Sequence, residues 1–183
     1  MPELIAPTAR LHAAWLAAHS EWGPGPHEDG FGLGPSDEVA SEAGFAAWLA
    51  RLSDQSDPAM TIDVGKHRCT YRWIVEGDRV LGGIALRDGD DEYTRWAGHI
   101  GYGIRPSARR RGLATWAMGS MLDEARTLGM RRILAVCRVD NVASGQTIER
   151  CGGVFEAIAG TRFGPVRRYW IDLRQASAHV QQR

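Results

Sequence analysis

The strongest chemical signal in the sequence is a run of three arginines and a glycine, Arg109–Gly112. It lies between a predicted strand and a predicted helix that runs from about Gly112 to Leu128. The start of a helix leaves backbone N–H groups unpaired and carries a partial positive charge, so it favours a bound anion. The glycine allows a close approach to the backbone, and guanidinium groups match phosphate oxygens. We therefore predict a phosphate-binding loop, although an arginine run before a helix can also be a solvated surface.

This loop follows neither of the two common nucleotide-binding patterns, since GxxxxGK[ST] and GxGxxG are both absent. The spacing Arg109-x-x-Gly112-x-Ala114 instead matches [QR]-x-x-G-x-[GA], and it resembles the GNAT superfamily of acyl-CoA-dependent N-acetyltransferases. The second cofactor motif of that superfamily is similar to DNVASGQTIERCGG, which follows the next predicted strand. The resemblance covers roughly Trp73–Leu173. The phrase GHIGYGIRPSARRRGLAT, followed by DNVAS and IERCGG, is also similar to a bacterial branch described only as predicted acetyltransferases.

The resemblance implies an α/β (α+β) fold with a mixed, mostly antiparallel sheet flanked by helices. Its two central parallel strands, His99–Arg105 and Ile133–Val139, are expected to splay apart. We expect a single N-acetyltransferase domain over residues 1–183. A helical part on the substrate side would span about 8–60, and a cofactor-binding core would span about 70–174.

The resemblance also implies acetyl-CoA as co-substrate and no metal. The pantetheine arm would pair with the splayed strands, and the pyrophosphate would sit on the helix start. Asn141 would reach the pantetheine arm, although it can equally serve as a helix N-cap. The residues expected to contact the cofactor are Tyr102, Gly103, Ile104, Arg109, Arg110, Arg111, Gly112, Leu113, Ala114, Thr115, Asn141 and Ser144.

Two residues are candidates for proton transfer. His99 could accept a proton from the amine, because an unperturbed histidine titrates near pH 6.5, but it could also be a packed strand residue. Many relatives place a tyrosine in the second motif as the general acid, whereas this chain has Ile148 there. Ser144, one turn earlier, is the nearest alternative donor, unless it merely bonds the backbone.

The acceptor site is expected on the glycine- and proline-rich loop from Glu21 to Pro35. Long loops in compact domains often bind ligands, and carboxylates suit a cationic amine. The predicted acceptor residues are Glu21, Trp22, Glu28 and Asp29. Each carboxylate has an ordinary solvated role as its alternative, and the loop can be a plain surface connection.

Composition excludes several other classes. The 183 residues carry 22 basic and 22 acidic side chains, and zero net charge argues against a dedicated nucleic-acid binder. Three cysteines without metal-ligand spacing favour a reducing compartment, and no apolar run or signal-peptide pattern points to a membrane. We expect a cytoplasmic enzyme with no membrane or nucleic-acid partner, and both a monomer and a homodimer are compatible with the sequence.

The predicted function is direct acetyl transfer from acetyl-CoA to a primary amine of a small molecule, peptide or protein. The alternative is a non-catalytic acyl-CoA-binding sensor or interaction module, which Ile148 favours.

Overall fold

A mixed sheet forms the centre of the fold in the computed structural model, which describes residues 1–23, 30–59, 68–161 and 164–174. The order of its seven strands in that part of the chain is β1-β2-β3-β4-β5-β7-β6. All neighbours are antiparallel except β4 and β5, which are parallel. The strands are β1 (Glu3–Ile5), β2 (Arg68–Glu76), β3 (Arg79–Asp88), β4 (Ile100–Ile104), β5 (Arg132–Arg138), β6 (Val154–Thr161) and β7 (Gly164–Asp172).

Helices cover both faces of this sheet. They are α1 (His12–Ser20), α2 (Glu42–Ser56), α3 (Glu92–Ala97), α4 (Leu113–Thr127) and α5 (Val142–Arg150). Side-chain caps fix the first residues of α2 and α5: Ser41 accepts a bond from the Gly44 N–H, and Asn141 accepts one from the Ser144 N–H. The mixed α/β architecture with a mostly antiparallel sheet confirms the predicted fold class.

Two hydrophobic cores lie on opposite faces of the sheet. One packs α1 and α2 against β2 and β3, and it is rich in aromatic rings such as Trp15, Trp48 and Trp73. The other packs α4 and α5 against the sheet through aliphatic side chains, including Met118 and Ile148. The alternation of side chains along each strand separates the two sets.

Several predicted boundaries change by one residue, and two elements were not expected. The central strands span Ile100–Ile104 and Arg132–Arg138 rather than the predicted ranges. The polar segment DGDDEYTR, from Asp88 to Arg95, contains the start of α3. Asp91 begins this helix by accepting a 2.8 Å bond from the Thr94 N–H. The three-residue β1 pairs with β2 and gives too short a pattern to predict. None of the described helices has the length and apolar character needed to cross a membrane.

Candidate active site

The parallel strands β4 and β5 separate along their length. β4 is paired with β3 throughout, and β5 is paired with β7 from Arg132 to Arg138. Between β4 and β5, however, the described residues contain one ladder pair, Ile100 with Ala135. The His99 N–H also donates to the Leu134 carbonyl at 2.8 Å, at the same end of the two strands. The carboxyl ends of β4 and β5 therefore form an open wedge, as the resemblance implies.

A cavity of about 450 Å³ opens on the β4 side of this wedge, at the carboxyl end of the strand. It is lined by β4, by the loop before α4, by the first turn of α4, by one side of α5 as far as Arg150, and by Trp22. Eleven of the twelve predicted cofactor residues line it, and Arg111 does not. Trp22, which the sequence predicts as an acceptor residue, also lines it. The sequence analysis did not identify five further lining residues of α5 and the loop: Ala108, Ala143, Gln146, Thr147 and Arg150.

The loop before α4 adopts a backbone conformation suited to an anion. Arg110 and Gly112 both have positive φ, at 61° and 75°. The first bond of the helix runs from the Trp116 N–H to the Gly112 carbonyl at 3.0 Å. The N–H groups of Leu113, Ala114 and Thr115 therefore have no acceptor within the helix, and all three residues line the cavity. Successive free N–H groups of this kind form a binding site for phosphate oxygens.

The three loop arginines have different environments. Arg109 lines the cavity while its Nε donates to the Ile104 carbonyl at 3.0 Å, which ties the loop to the end of β4. Arg110 lines the cavity and is exposed. Arg111 pairs instead with both carboxylate oxygens of Glu76, at 2.9 and 3.0 Å. The predicted cofactor contact of Arg111 thus has no support from this geometry, since the side chain is held by a different element.

The start of α5 brings polar groups to the other wall of the cavity. The Asn141 Oδ1 accepts the Ser144 N–H at 3.1 Å, so Asn141 is the N-cap and also lines the cavity. The Ser144 Oγ lies 2.8 Å from the Tyr102 hydroxyl of β4. Burial raises the pKa of Tyr102 to about 12. Ile148 faces away from these groups into the aliphatic core.

Comparison with known families decides which group of proteins this arrangement belongs to. A family model described as an acetyltransferase (GNAT) domain matches residues 31–154, which is more than half of the chain. The chain belongs to the GNAT acetyltransferase family. No curated protein sequence matches it at a significant level.

Solved structures of acetyltransferases superpose on nearly the whole of this GNAT chain. Mycobacterium smegmatis RimJ in complex with CoA-disulfide is 18% identical with a TM-score of 0.72, covering 96% of this chain and 83% of that one. RimL, a ribosomal L7/L12 alpha-N-protein acetyltransferase in complex with coenzyme A, is 16% identical with a TM-score of 0.70 and 93% of each chain covered. The microcin C7 self-immunity acetyltransferase MccE, in complex with acetyl-CoA and AMP, is 15% identical with a TM-score of 0.64, covering 93% and 92%. At these identities the likeness shows the fold.

His99 lies at the opposite end of β4 from the GNAT phosphate loop, and it is not among the residues that line the cavity. Its Nδ1 accepts the Leu134 N–H at 3.0 Å, which requires that nitrogen to be unprotonated. Burial lowers the pKa of His99 and favours the neutral imidazole. The geometry fits the alternative of a packed strand histidine, and the catalytic role stays a prediction without a contact to the cavity.

The acceptor residues divide into two groups. Trp22 lines the cavity and packs edge-on against Phe31, with ring centroids 5.7 Å apart. Both carboxylate oxygens of Glu21 are bonded within the protein, to Arg105 and to Ser107. An amine bound by Glu21 would have to compete with these bonds. Glu28 and Asp29 lie outside the described residues.

Proposed function

We propose that this GNAT protein is an N-acetyltransferase that moves an acetyl group from acetyl-CoA directly to a primary amine. The observation that carries the proposal is the wedge between β4 and β5. It leads from the free N–H groups at the start of α4 to the hydroxyl groups of Tyr102 and Ser144. Similar folds solved with CoA or acetyl-CoA bound support the choice of donor.

The two ends of the cavity would hold the two ends of the cofactor. The pyrophosphate would accept bonds from the N–H groups of Leu113, Ala114 and Thr115, where the helix dipole also favours negative charge. The pantetheine arm would run along the edge of β4 that turns away from β5, pairing with backbone groups as an added strand does. The thioester would then lie beside Tyr102, and a strand N–H could polarise its carbonyl.

Direct transfer requires a neutral amine and a source of a proton for the leaving thiolate. The amine nitrogen attacks the thioester carbonyl carbon, and the carbon–sulfur bond breaks as the amide forms. The proton of the attacking nitrogen passes to solvent, and the sulfur leaves as a thiolate that takes up a proton. A positioned acid accelerates such a step by roughly 10²–10⁴-fold.

The acceptor class is proposed from the relatives rather than from the site. One similar structure is described as modifying the N-terminal serine of a ribosomal protein, and another as a ribosomal-protein-S5-alanine acetyltransferase. MccE is described as a self-immunity enzyme. Peptides that begin with serine or alanine, together with small amines, are therefore the acceptors to test first.

The second candidate function is an acyl-CoA sensor, which the isoleucine at position 148 favours. Thiol release from acetyl-CoA, measured with the panel of peptides and amines, separates the two functions. We expect amine-dependent release and an acetylated product by mass spectrometry. Calorimetric binding of acetyl-CoA without transfer to any member of the panel would favour the sensor instead.

A further inference from the structure

Two hydroxyl groups from facing elements meet inside the cavity. Tyr102 projects from β4, and Ser144 lies in the first turn of α5. Their side-chain oxygens are 2.8 Å apart, and the Tyr102 hydroxyl is also 3.4 Å from the Ser144 carbonyl. Both residues line the wall of the cavity. We call these two groups the hydroxyl pair.

Tyr169 also approaches α5, with its hydroxyl 3.3 Å from the Glu149 carboxylate, but it does not line the cavity. The sequence of α5, VASGQTIER, contains no tyrosine, and Ile148 is buried in the core beneath the helix. Tyr102 is the one tyrosine among the residues that line the cavity. A phenol therefore reaches the start of α5 from the strand side of the wedge rather than from the helix.

We propose that Tyr102 donates the proton to the leaving CoA thiolate and that Ser144 returns a proton to Tyr102. This inference rests on the proposed function, because it assigns a step of that reaction. The general acid would then come from the splayed strand β4 rather than from α5.

The acidity of the two hydroxyls decides which of them donates to the sulfur and which relays the proton. A phenol, with an ordinary pKa near 10, is a far stronger acid than the hydroxyl of serine. Burial raises the pKa of Tyr102 to about 12, so its proton is in place at neutral pH. Serine can both donate and accept, and it is therefore suited to relaying a proton.

The charged and titratable groups around Tyr102 are compatible with its role as the proton donor. The thiols of Cys137 and Cys151 face Tyr102, and burial raises the pKa of each, so both stay neutral. The Thr147 hydroxyl is also within bonding reach of Tyr102, and it donates to the Ala143 carbonyl at 3.0 Å. The cations that line the same cavity favour a thiolate there: Arg109, Arg110 and Arg150.

The proton count closes in one turnover. When the carbon–sulfur bond breaks, the Tyr102 Oη–H bond breaks and a sulfur–hydrogen bond forms, which leaves CoA as a neutral thiol. The Tyr102 oxygen then takes the proton of the Ser144 Oγ, and Ser144 takes one from water. The proton that the amine released restores the balance with solvent.

A binding experiment tests this contact without any acceptor. The ligands are CoA and desulfo-CoA, in which hydrogen replaces the thiol, and the proteins are wild type and Tyr102→Phe. A hydroxyl aimed at the sulfur favours the charged thiolate. We expect the wild-type affinity ratio of CoA to desulfo-CoA to rise about tenfold between about pH 6.5 and 9.5, across the range where thiols ionise. In Tyr102→Phe the ratio should rise by less than about threefold, and the rise that remains would come from the arginines that line the cavity.

Tyr169→Phe is the matched control. Its hydroxyl lies 3.3 Å from the Glu149 carboxylate of α5, yet Tyr169 does not line the cavity. This variant removes a phenol oxygen beside the same helix and should keep the wild-type rise. An equal rise in Tyr102→Phe, or a flat wild-type ratio, would overturn the inference alone. Failure of wild type to bind either ligand would overturn the proposed function and this inference together.

Turnover gives a second readout. With an amine acceptor, Tyr102→Phe should lower kcat at least tenfold on acetyl-CoA, because a positioned acid is lost. On acetyl-seleno-CoA the defect should nearly disappear, since a selenolate leaves without protonation. Ser144→Ala should show the same pattern with a smaller loss. A Tyr102→Phe defect of equal size on both esters would mean that the hydroxyl only shapes the site.

Discussion

The two faces of the sheet differ in what builds them. On the face of α4 and α5, the candidate site consists largely of backbone: two residues with positive φ, the free N–H groups of a helix start, and the edge of β4 beyond Ile100, which has no ladder pair with β5 in the described part of the chain. On the face of α1 and α2, side chains dominate. Trp15 alone contacts Phe31, Phe45 and Trp48, with ring centroids between 4.8 and 5.5 Å apart.

The two faces are joined near the cavity by one group of polar bonds. Glu21, just after α1, bonds Arg105 at the end of β4 and Ser107 in the turn before the phosphate loop. Arg105 also donates to the Val80 carbonyl at 3.0 Å. The aromatic face thus supports the loop through side chains, while the loop itself offers backbone groups to a ligand.

This difference has a consequence for mutation. Backbone N–H groups are the same for every residue except proline, so most side-chain changes in the loop should leave cofactor binding nearly intact. Only residues that set the path of the backbone should be critical. On the aromatic face the side chains themselves make the contacts, and substitutions there should act mainly on stability.

The largest effect is expected from Gly112→Val. A Cβ at this position meets no protein atom within 4 Å, so the space beside it is open for a ligand. The new side chain would fill that space, and φ of +75° is strained for a branched residue by about 1–2 kcal/mol. We expect acetyl-CoA affinity to fall about 100-fold, or ~2.7 kcal/mol, measured by calorimetry.

Gly129→Val provides a control for the strain. Gly129 has φ of +78° and equally open surroundings, but it follows the far end of α4. The two variants should lose similar amounts of stability in urea unfolding, and only Gly112→Val should lose affinity. Equal acetyl-CoA affinities in the two folded variants would show that the loop before α4 is not part of the binding site.

A smaller effect, on stability rather than binding, is expected from Glu21→Gln. The bonds from Arg105 lower the pKa of Glu21 to about 2 from an ordinary value near 4.5. The variant leaves the buried Arg105 without its counter-ion, and a poorly satisfied buried donor costs about 1–3 kcal/mol. Acetyl-CoA affinity should change by less than about threefold, because the loop N–H groups are untouched.

The pH dependence of stability gives the sign of the Glu21 effect. The folded pKa lies below the unfolded one, so the stabilisation is fully present above about pH 4.5 and is lost as pH falls toward about 2. The gap in unfolding free energy between wild type and Glu21→Gln should therefore shrink on acidification below about pH 4.5. A gap that stays constant with pH would show that the carboxylate charge contributes nothing. A large loss of acetyl-CoA affinity in Glu21→Gln would show that the bonds from Glu21 to Arg105 and Ser107 also hold the loop before α4 in its binding conformation.

The same difference explains how much of the site could be predicted. The signal at Arg109–Ala114 is local: a glycine, a helix start and cations at fixed spacing specify the backbone and hence the anion site. The wedge between β4 and β5 followed from the resemblance. The hydroxyl pair could not be predicted, because Tyr102 and Ser144 are 42 residues apart and only the packing of α5 on β4 joins them.

Other positions resisted prediction for related reasons. Glu21 and Arg111 carry the right charges for ligands, but each is bonded to a partner distant in the chain, at Arg105 and Glu76. A charged residue in a loop gives no sign of such a partner. The short helix α3 depends on one cap, Asp91, within a run of acidic residues in which any of several could have begun a helix.

The smallest effect is expected at Arg110, whose side chain and backbone can be tested separately. Its φ of +61° is unusual for a residue other than glycine. Arg110→Ala removes an exposed cation and keeps the strain, so acetyl-CoA affinity should fall only about two- to fivefold, within the ~1 kcal/mol of an exposed ionic contact. Arg110→Gly removes the same charge and relieves the strain. It should therefore bind acetyl-CoA as Arg110→Ala does, and it should unfold at a higher temperature than Arg110→Ala.

The affinity for acetyl-CoA, measured across a salt series, should be less salt-dependent in both variants than in wild type. A loss of 100-fold in either variant would contradict the backbone as the main source of binding, because the guanidinium would then be the principal contact to the phosphates.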